Sequence, residues 1–595
     1  MSDLNATICT VPTWPDWVSA SATRNWCLKN TLQDWLALYG ESAGFESDPE
    51  PLVGADFRSF IFEKGRQFEA RVVELLSQRT EVFRPHDLAE PSRSIEARDA
   101  TVDAMRRGAS VIAQGVLWES ESQTYGTPDL LIRSDVLESL FPDAIRKEEV
   151  LIGAPALGLD AYHYRVVDIK FTTLQLDRNG HAARGHMPYL VQVSIYNNAL
   201  GKTQGFLPPR SYLLGRSWSG AGNTEGRGCF DRLAPIPTNL SWDDGTLTEF
   251  VTSATSWVRR VRAEGATWHP SDGPRVPELR PNPAEADYPW RSATRLIAEQ
   301  NRDPILAWQV GCAARDLATG RGVSDWTDPR FNARIAGLDG SRAARLDLIL
   351  DHNRAADGPV VIPERIQSER EQWIQPAEVE FYVDFETVSD VNDDFVGLPA
   401  RGGQAMIFMI GCGHLEGGEW TYSCFTVDRL DPQSEVEVIE AWLEHMRVVQ
   451  DRLAPNLAKP LVFHWSPAES SGLSTGLKSA RARHPERSRH WEEPNWYDFL
   501  SRVVRAEPVV VRGPMGFGLK AFAGSLRRHG LIQSEWPDNV SDGLGAMVCA
   551  WTAYAESGRC GRRVSEHELM KSVQQYNEVD CRVMMEAIRY LRRCH

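Results

Sequence analysis

Apolar positions recur at helical spacing between Asp56 and Arg79, where Phe60, Phe68, Val72, Val73, Leu75 and Leu76 mark out one long helix. Three short runs with strand character follow: SVIAQGVLWES, TPDLLIRS and YRVVDIKFTT. A second helix is expected from about Met187 to Leu200, and Arg216–Gly228 (RSWSGAGNTEGRG) reads as a flexible loop. The proline-rich stretch His269–Pro289 reads as a linker, which leaves residues 1–268 as a first domain. Residues 290–355 read as small and all-helical, and Ala355–Pro376 as a second polar linker. In residues 377–595 the strands FYVDFETVSD, AMIFMIGCGH and WTYSCFTV come first. A helix at Ser434–Val449, the strand PLVFHWS and several more helices follow, ending on a long helix over Glu566–Arg593. The mixed order of strands and helices predicts layered α/β domains.

A chain of 595 residues leaves room for two to four such domains. With 42% hydrophobic and 25% charged residues, the composition excludes a disordered, collagen-like or membrane-embedded chain. No apolar run approaches the ~18–20 residues that span a bilayer; Ala405–Gly411 is strand-sized. The start, MSDLNATICTVPTWPDW, has no basic stretch followed by an apolar one, so no secretory signal and a cytoplasmic location are expected. The net charge of −16 repels nucleic acid on average, so phosphate binding would have to come from local basic patches. One basic run, Lys478 to His490 (KSARARHPERSRH), reads either as a solvated loop between helices or as such a patch. The ten cysteines are scattered without a CxxC, which suits reduced thiols rather than a zinc site.

The chemistry-bearing residues fall into two groups. In YRVVDIKFTT the period of two sends Val167, Ile169 and Phe171 one way and Asp168 and Lys170 the other. Asp129 closes the turn GTPD ahead of the apolar strand LLI. Glu69 lies on the apolar face of the first helix, with Val72, Val73 and Leu76, where a carboxylate needs a cation or strong hydrogen bonds. Gln192 and Tyr196 are i, i+4 on one helical face. The ordered series resembles the PD-(D/E)XK nucleases of the RecB-like class. The resemblance implies Glu69, Asp129 and Asp168 as ligands of Mg²⁺ or Mn²⁺, with Asp129 and Asp168 part of the catalytic set. It implies Lys170 as the lysine that orients or deprotonates the attacking water, and Gln192 and Tyr196 as lining a DNA groove. Several relatives clamp this domain with an iron–sulfur cluster on one early and three late cysteines. Here Cys27 stands near the early position and only Cys229 lies near the late ones, so no iron–sulfur cluster is expected.

In FYVDFETVSD, Tyr382, Asp384 and Glu386 share one face and Val383 and Phe385 the other. On the last helix Tyr576 and Asp580 are i, i+4, flanked by Val573, Val583 and Met584. A D-x-E on a first strand with Y-x-x-x-D on a final helix resembles the DEDD exonucleases of the RNase H-like fold, tyrosine subclass. Residues 377–595 are more closely similar to a YprB-type domain, through DFET, IFMIGCG, VFHW and YNEVD. The resemblance implies two metal ions held by Asp384, Glu386, Asp580 and a fourth acid, with the Tyr576 hydroxyl positioning the attacking water. Glu469, in HWSPAES, is expected as the fourth ligand, and Asp498, in NWYDFL, as a supporting or substrate-facing residue. His464 reads as a satisfied histidine at a strand end, or else as a ligand or base.

Together these readings give an α/β chain in three parts. An N-terminal PD-(D/E)XK, restriction-endonuclease-like domain covers 1–268, and an RNase H-like DEDDy exonuclease domain covers 377–595. Between them, the stretch Ile305–Gly322 followed by VSDWTDPRF suggests a helix-hairpin-helix-like element, whose glycine-rich turns offer N–H groups to phosphates, or a plain helical spacer. The expected function is a metal-dependent nuclease acting on single- or double-stranded DNA, in repair or in defence against foreign DNA. An RNA-directed exonuclease and a nucleic-acid-binding scaffold with an inactive RNase H-like domain are the alternatives. No G-x-x-x-x-G-K-[ST] loop occurs, so any unwinding is expected from a separate helicase, and no membrane partner is expected.

Overall fold

The computed structural model describes residues 14–49, 57–270, 276–355, 357–389, 395–400, 405–465, 472–536 and 543–595. It is a mixed α/β structure divided into two compact units. The first comprises Met1–Asp48, Phe62–Ile297 and Asp394–Gly402; the second comprises Pro49–Ile61, Ala298–Asp393 and Gly403–His595. Among the described residues no helix is long and apolar enough to cross a membrane.

The first unit is built on a seven-stranded sheet. Its strands are β1 (Val82–Phe83), β2 (Val111–Ala113), β3 (Leu130–Arg133), β4 (Tyr164–Gln175), β5 (Arg210–Gly220), β6 (Thr224–Gly226) and β7 (Ala234–Pro237). The order is β7-β5-β4-β3-β2-β1, with β6 paired to β5. Helix α1 (Phe57–Ser77) brings Phe68, Val72, Val73 and Leu76 against Val167 and Ile169 of β4. Helix α2 (Met187–Gln204) brings Leu190, Val191 and Ile195 to Tyr164 and Val166, which point the other way. The period of two expected for β4 is therefore realised, with an irregularity in its register with β5 between Lys170 and Thr173. The expected loop at Arg216–Gly228 is instead the end of β5 turning back into β6. Its Ser, Trp and Thr residues suit a twisted hairpin, and the glycines serve the turn.

Both stretches read as linkers are packed. Val276 and Leu279 are buried with Trp35 and Trp257. Asn30 Nδ2 donates to the Glu285 carbonyl at 2.7 Å, and Asn282 Nδ2 to the Leu28 carbonyl at 3.0 Å. In the other stretch, Val361–Ile362 pairs antiparallel with Val510–Val511, and Ile366 and Trp373 are fully buried. Proline excludes helix from such segments, but it does not prevent their apolar residues from finding a core. Residues 290–355 do not form a third compact unit. They are helical, as expected, at Arg291–Gln300, Cys312–Gly320 and Gly340–Arg354, but the boundary falls at Ile297. Their small cluster around Val310, Phe331, Leu346 and Leu350 is counted with the second unit, where Arg345 Nε donates to the Arg505 carbonyl at 2.9 Å. Conversely, Phe395 and Leu398 belong to the core of the first unit, with the Phe395 ring 5.7 Å from that of Phe68.

The second unit carries a five-stranded sheet of β8 (Glu380–Val388), β9 (Met406–Glu416), β10 (Glu419–Thr426), β11 (Leu461–His464) and β12 (Asn495–Asp498). The order is β10-β9-β8-β11-β12; the first three are antiparallel, and β11 and β12 run parallel to β8 and to each other. Helix α3 (Pro432–Leu453) starts where Asp431 accepts from the Ser434 N–H at 2.8 Å and Pro432 takes a first-turn position. It buries Ile439 and Trp442 against Phe385, Ile410 and Cys412. Helix α4 (Leu519–Arg528) and the final helix α5 (Glu568–Cys594) lie on the side of Tyr382, where Met584 and Ile588 join Phe463. The central strand β8 thus turns its even-numbered residues toward α5.

Candidate metal centre

Asp384 and Glu386 project from β8, and Asp580 projects from α5. One carboxylate oxygen from each lies within 4.8 Å of the others, and among the described residues no other group of three potential ligands does so. A register irregularity between β8 and β9 falls just after Glu386, at Glu386/Thr387, the kind of bulge that re-aims a side chain. All three donors are hard oxygens, a set that fits Mg²⁺ or Mn²⁺. Their crowding also disfavours the ionised form of all three. Burial first, and Asp580 second, push the Asp384 carboxyl well above the ordinary carboxylate range. Burial, then Asp384 and Asp580, do the same to Glu386. Burial raises Asp580 to about 6, against hydrogen bonds from Trp536 and Tyr576 and the charge of Lys520.

This electrostatic strain gives a pH signature. An acid whose folded pKa is raised binds more protons folded than unfolded, so stability falls as pH rises through that interval. For Asp580, moving from 3.8 to about 6 amounts to ~3 kcal/mol, complete above pH 6. In EDTA the chain is expected to melt at a higher temperature at pH 5 than at pH 7. Thermal unfolding of wild type and Asp580→Asn at both pH values checks this, because the variant should show a smaller difference.

Sequence reading found the three acids but not the residues that hold them. Asn577 Nδ2 donates to Asp384 Oδ2 at 3.1 Å and to Glu386 Oε1 at 3.4 Å, while its Oδ1 accepts from the Tyr422 hydroxyl at 3.0 Å. A signal was present: Asn577 is a polar residue on the apolar stripe Val573–Asn577–Asp580–Met584, with no exposure to solvent. Trp536 Nε1 donates to Asp580 Oδ1 at 2.8 Å. Lys520, from the first turn of α4, places Nζ 4.6 Å from the centre of the Tyr576 ring. Burial, and then Asp580, raise the Tyr576 hydroxyl, so it stays protonated. Asn577 can approach because residue 411 is glycine. A Cβ at Gly411 would collide with Asn577 Oδ1. Gly411→Ala is therefore expected to displace Asn577, destabilise the chain by about 1–3 kcal/mol as for other overpacked sites, and weaken metal binding. Urea unfolding and Mn²⁺ titration of the variant measure both.

Glu469, the expected fourth ligand, lies outside the described residues. Asp498 ends β12, two strands from β8, and its Oδ1 accepts from the Ser501 N–H at 3.0 Å. His464 is opposite it in the β11–β12 register; burial lowers its pKa, against the pull of Asp498.

In the first unit Glu69, Asp129, Asp168 and Lys170 come together around an unforeseen residue, Gln114. The Ile169 N–H donates to Asp129 Oδ2 at 2.7 Å and the Asp129 N–H to Asp168 Oδ1 at 3.4 Å. Lys170 Nζ is 2.6 Å from Asp168 Oδ2. Gln114 follows β2 with φ 57° in the left-handed region, and its Nε2 donates to Glu69 Oε1 and, at 3.1 Å, to Asp129 Oδ1. An amide thus occupies carboxylate oxygens that a shared ion would need, and this set is not gathered as closely as the triad on β8 and α5. Burial, then Asp168 and Glu69, push Asp129 well above its ordinary range; Glu69 is raised by burial too. Gln192 Nε2 donates to the Tyr196 hydroxyl at 2.9 Å, but Tyr196 is buried, its ring against the backbone of Gly126. Cys27 and Cys229 sit in separate apolar clusters, each thiol pushed up to about 12 by burial.

The basic run is not a solvated loop. It lies largely on the helices Gly472–Arg483 and Pro485–Ser488, and its arginines are paired with acids. Arg483 forms a two-pronged pair at 2.9 Å with the fully buried Glu435, which His484 also meets at 3.1 Å. Arg487 pairs with Glu440, Arg481 with Glu493 and Arg489 with Glu486.

Comparison of the chain with protein-family models, with curated proteins and with solved structures gives no match.

Proposed function

We propose that the chain is a Mg²⁺- or Mn²⁺-dependent phosphodiester hydrolase acting on nucleic acid, DNA foremost, with its principal reaction site at Asp384, Glu386 and Asp580. The convergence of three carboxylates from a central strand and the final helix, Glu386 and Asp580 buried and Asp384 half-buried, carries this reading. A divalent ion bound there supplies Lewis acidity and an acidified water. Asp384, Glu386 and Asp580 would hold it, and Asn577 and Trp536 fix the orientation of the three carboxylates. The protonated Tyr576 hydroxyl, next to Asp580, supplies a hydrogen bond for orienting a water or a phosphate oxygen. The placement of these acids accords with the resemblance to the tyrosine-type exonucleases.

Glu69, Asp129, Asp168 and Lys170 are proposed as a second hydrolytic site, in line with the RecB-like resemblance. There Lys170 already neutralises Asp168, and Gln114 has to turn aside for an ion to reach Glu69 and Asp129 together. Incubation of the purified chain with end-labelled single- and double-stranded DNA and RNA, in Mg²⁺, Mn²⁺ or EDTA, tests the proposal. Metal-dependent cleavage supports it, and the preferred strand separates DNA from RNA. Metal-independent binding of nucleic acid without cleavage in any arm would favour the scaffold reading. Lys170→Ala and Asp384→Ala then assign each activity to its site.

A further inference from the structure

We propose that the cavity at the C-terminal end of α5 binds a phosphate of the nucleic-acid strand engaged at the Asp384–Glu386–Asp580 centre, through Arg589 and Arg593. The inference rests on the nucleic-acid hydrolase reading of that centre and adds a second contact with the same strand. The cavity measures about 440 Å³, a size that accepts a ligand group. Ile374, Leu415 of β9 and Tyr382 of β8 line it, and Arg589, Arg593 and Glu378 are its exposed charged residues. The buried charges in its wall cancel. Arg592 donates to both oxygens of Glu380 at 2.7 and 2.8 Å, and to the Trp373 carbonyl at 2.6 Å. With that pair closed, the two exposed arginines outweigh Glu378, and the cavity is left positive.

Arg589 and Arg593 stand at i and i+4 on one face of α5. Neither has an acid within ion-pair distance among the described residues, whereas Arg582 and Arg592 of the same helix meet Glu586 and Glu380. Like charges at this spacing repel, and a chain of net charge −16 has acids to spare for pairing them. The negative end of the helix dipole offsets part of the repulsion, but it does not account for a cavity beside the two guanidinium groups. A phosphate accounts for both, because each guanidinium presents a planar fork of donors that matches phosphate oxygens. The two arginines follow Asp580 by nine and thirteen residues, about 14 and 20 Å along the helix axis. Tyr382, in the cavity wall, and Asp384 lie on the same face of β8. A strand of several nucleotides therefore spans the metal centre and the cavity, while a very short one occupies the centre alone.

The test uses the full chain and compares wild type with the double variant Arg589→Gln, Arg593→Gln. The double variant Arg447→Gln, Arg563→Gln removes the same charge from exposed arginines on other elements and serves as control. The probes are a labelled trinucleotide of thymidine and an oligothymidylate of about 20 nucleotides, longer than usual single-strand site sizes. Affinity for the long strand is measured by fluorescence anisotropy in EDTA over a series of salt concentrations, and cleavage of both probes by initial rates in Mn²⁺. Loss of two phosphate contacts should weaken binding of the long strand roughly 10-fold at low salt. It should also flatten the dependence of log affinity on log salt by about 0.7 per arginine. Restoring the charges with Arg589→Lys, Arg593→Lys should restore that dependence. The trinucleotide should be cleaved equally by all the proteins. Equal losses in the test and control variants, an equal loss of rate on both probes, or an unchanged salt dependence overturns the proposal. Inorganic phosphate that raises the melting temperature of wild type but not of Arg589→Gln, Arg593→Gln, with oligonucleotide affinity unchanged, assigns the cavity to a free anion and overturns it too. A wild type that neither binds nor cleaves either probe overturns the nucleic-acid reading itself, and this proposal falls with it.

Discussion

Asp384→Asn is expected to move function and stability in opposite directions. Asp384 lies at the centre of the carboxylate triad, raised by burial and by Asp580. Its replacement removes one of the three proposed ligands while keeping the shape and the hydrogen bond from Asn577. Outer-shell partners of a metal already contribute about 10- to 100-fold to affinity, and a direct ligand should contribute at least the upper figure. Cleavage assigned to this site should therefore disappear. Without metal the same change relieves repulsion among buried acids, so the variant should melt at a higher temperature than wild type in EDTA. Addition of Mn²⁺ should raise the melting temperature of wild type and leave the variant unmoved. Thermal unfolding with and without Mn²⁺ reads all three quantities. A variant less stable than wild type in EDTA would mean that the acids are not a mutually repelling cluster.

Arg592→Ala should give the largest loss of stability. Glu380 and Arg592 form a two-pronged pair at 2.7 and 2.8 Å, with side chains 6% and 7% exposed. Arg592 Nε also donates to the Trp373 carbonyl at 2.6 Å, and the Tyr382 hydroxyl donates to Glu380 Oε2 at 3.0 Å. The pair ties the end of α5 to the start of β8. Truncating the arginine leaves a buried carboxylate without its cation, which costs about 3–5 kcal/mol. The double variant Glu380→Gln, Arg592→Met removes both charges and should recover much of that loss. Urea unfolding of the single and double variants measures the coupling. A double variant as unstable as Arg592→Ala would place the loss in packing of the arginine stem rather than in the orphaned charge.

Local periodicity carries what was legible in the chain. The two faces of YRVVDIKFTT and of FYVDFETV follow from the alternation of a strand, and the pairing of Tyr576 with Asp580 from the spacing of a helix. Each depends on residues within one element, so order alone placed Asp168 with Lys170, Asp384 with Glu386, and the final helix as carrier of Asp580. The α/β class followed from the same patterns. What brings these elements together is long-range packing, which local order does not encode. Lys520, Trp536 and Gly411 reach the Asp384 centre from segments with no local mark of that role. Gln114 enters the Glu69–Asp129 pair through a left-handed turn that only the fold requires. The proline-rich stretches and the basic run Lys478–His490 show the same limit. Their composition reads as solvent-facing, yet Val276, Ile366 and Trp373 find apolar cores, and Arg483 finds Glu435, 48 residues away. Side-chain type sets what a residue needs, whether a partner charge, a donor or an apolar wall. The tertiary structure decides which distant residue meets that need.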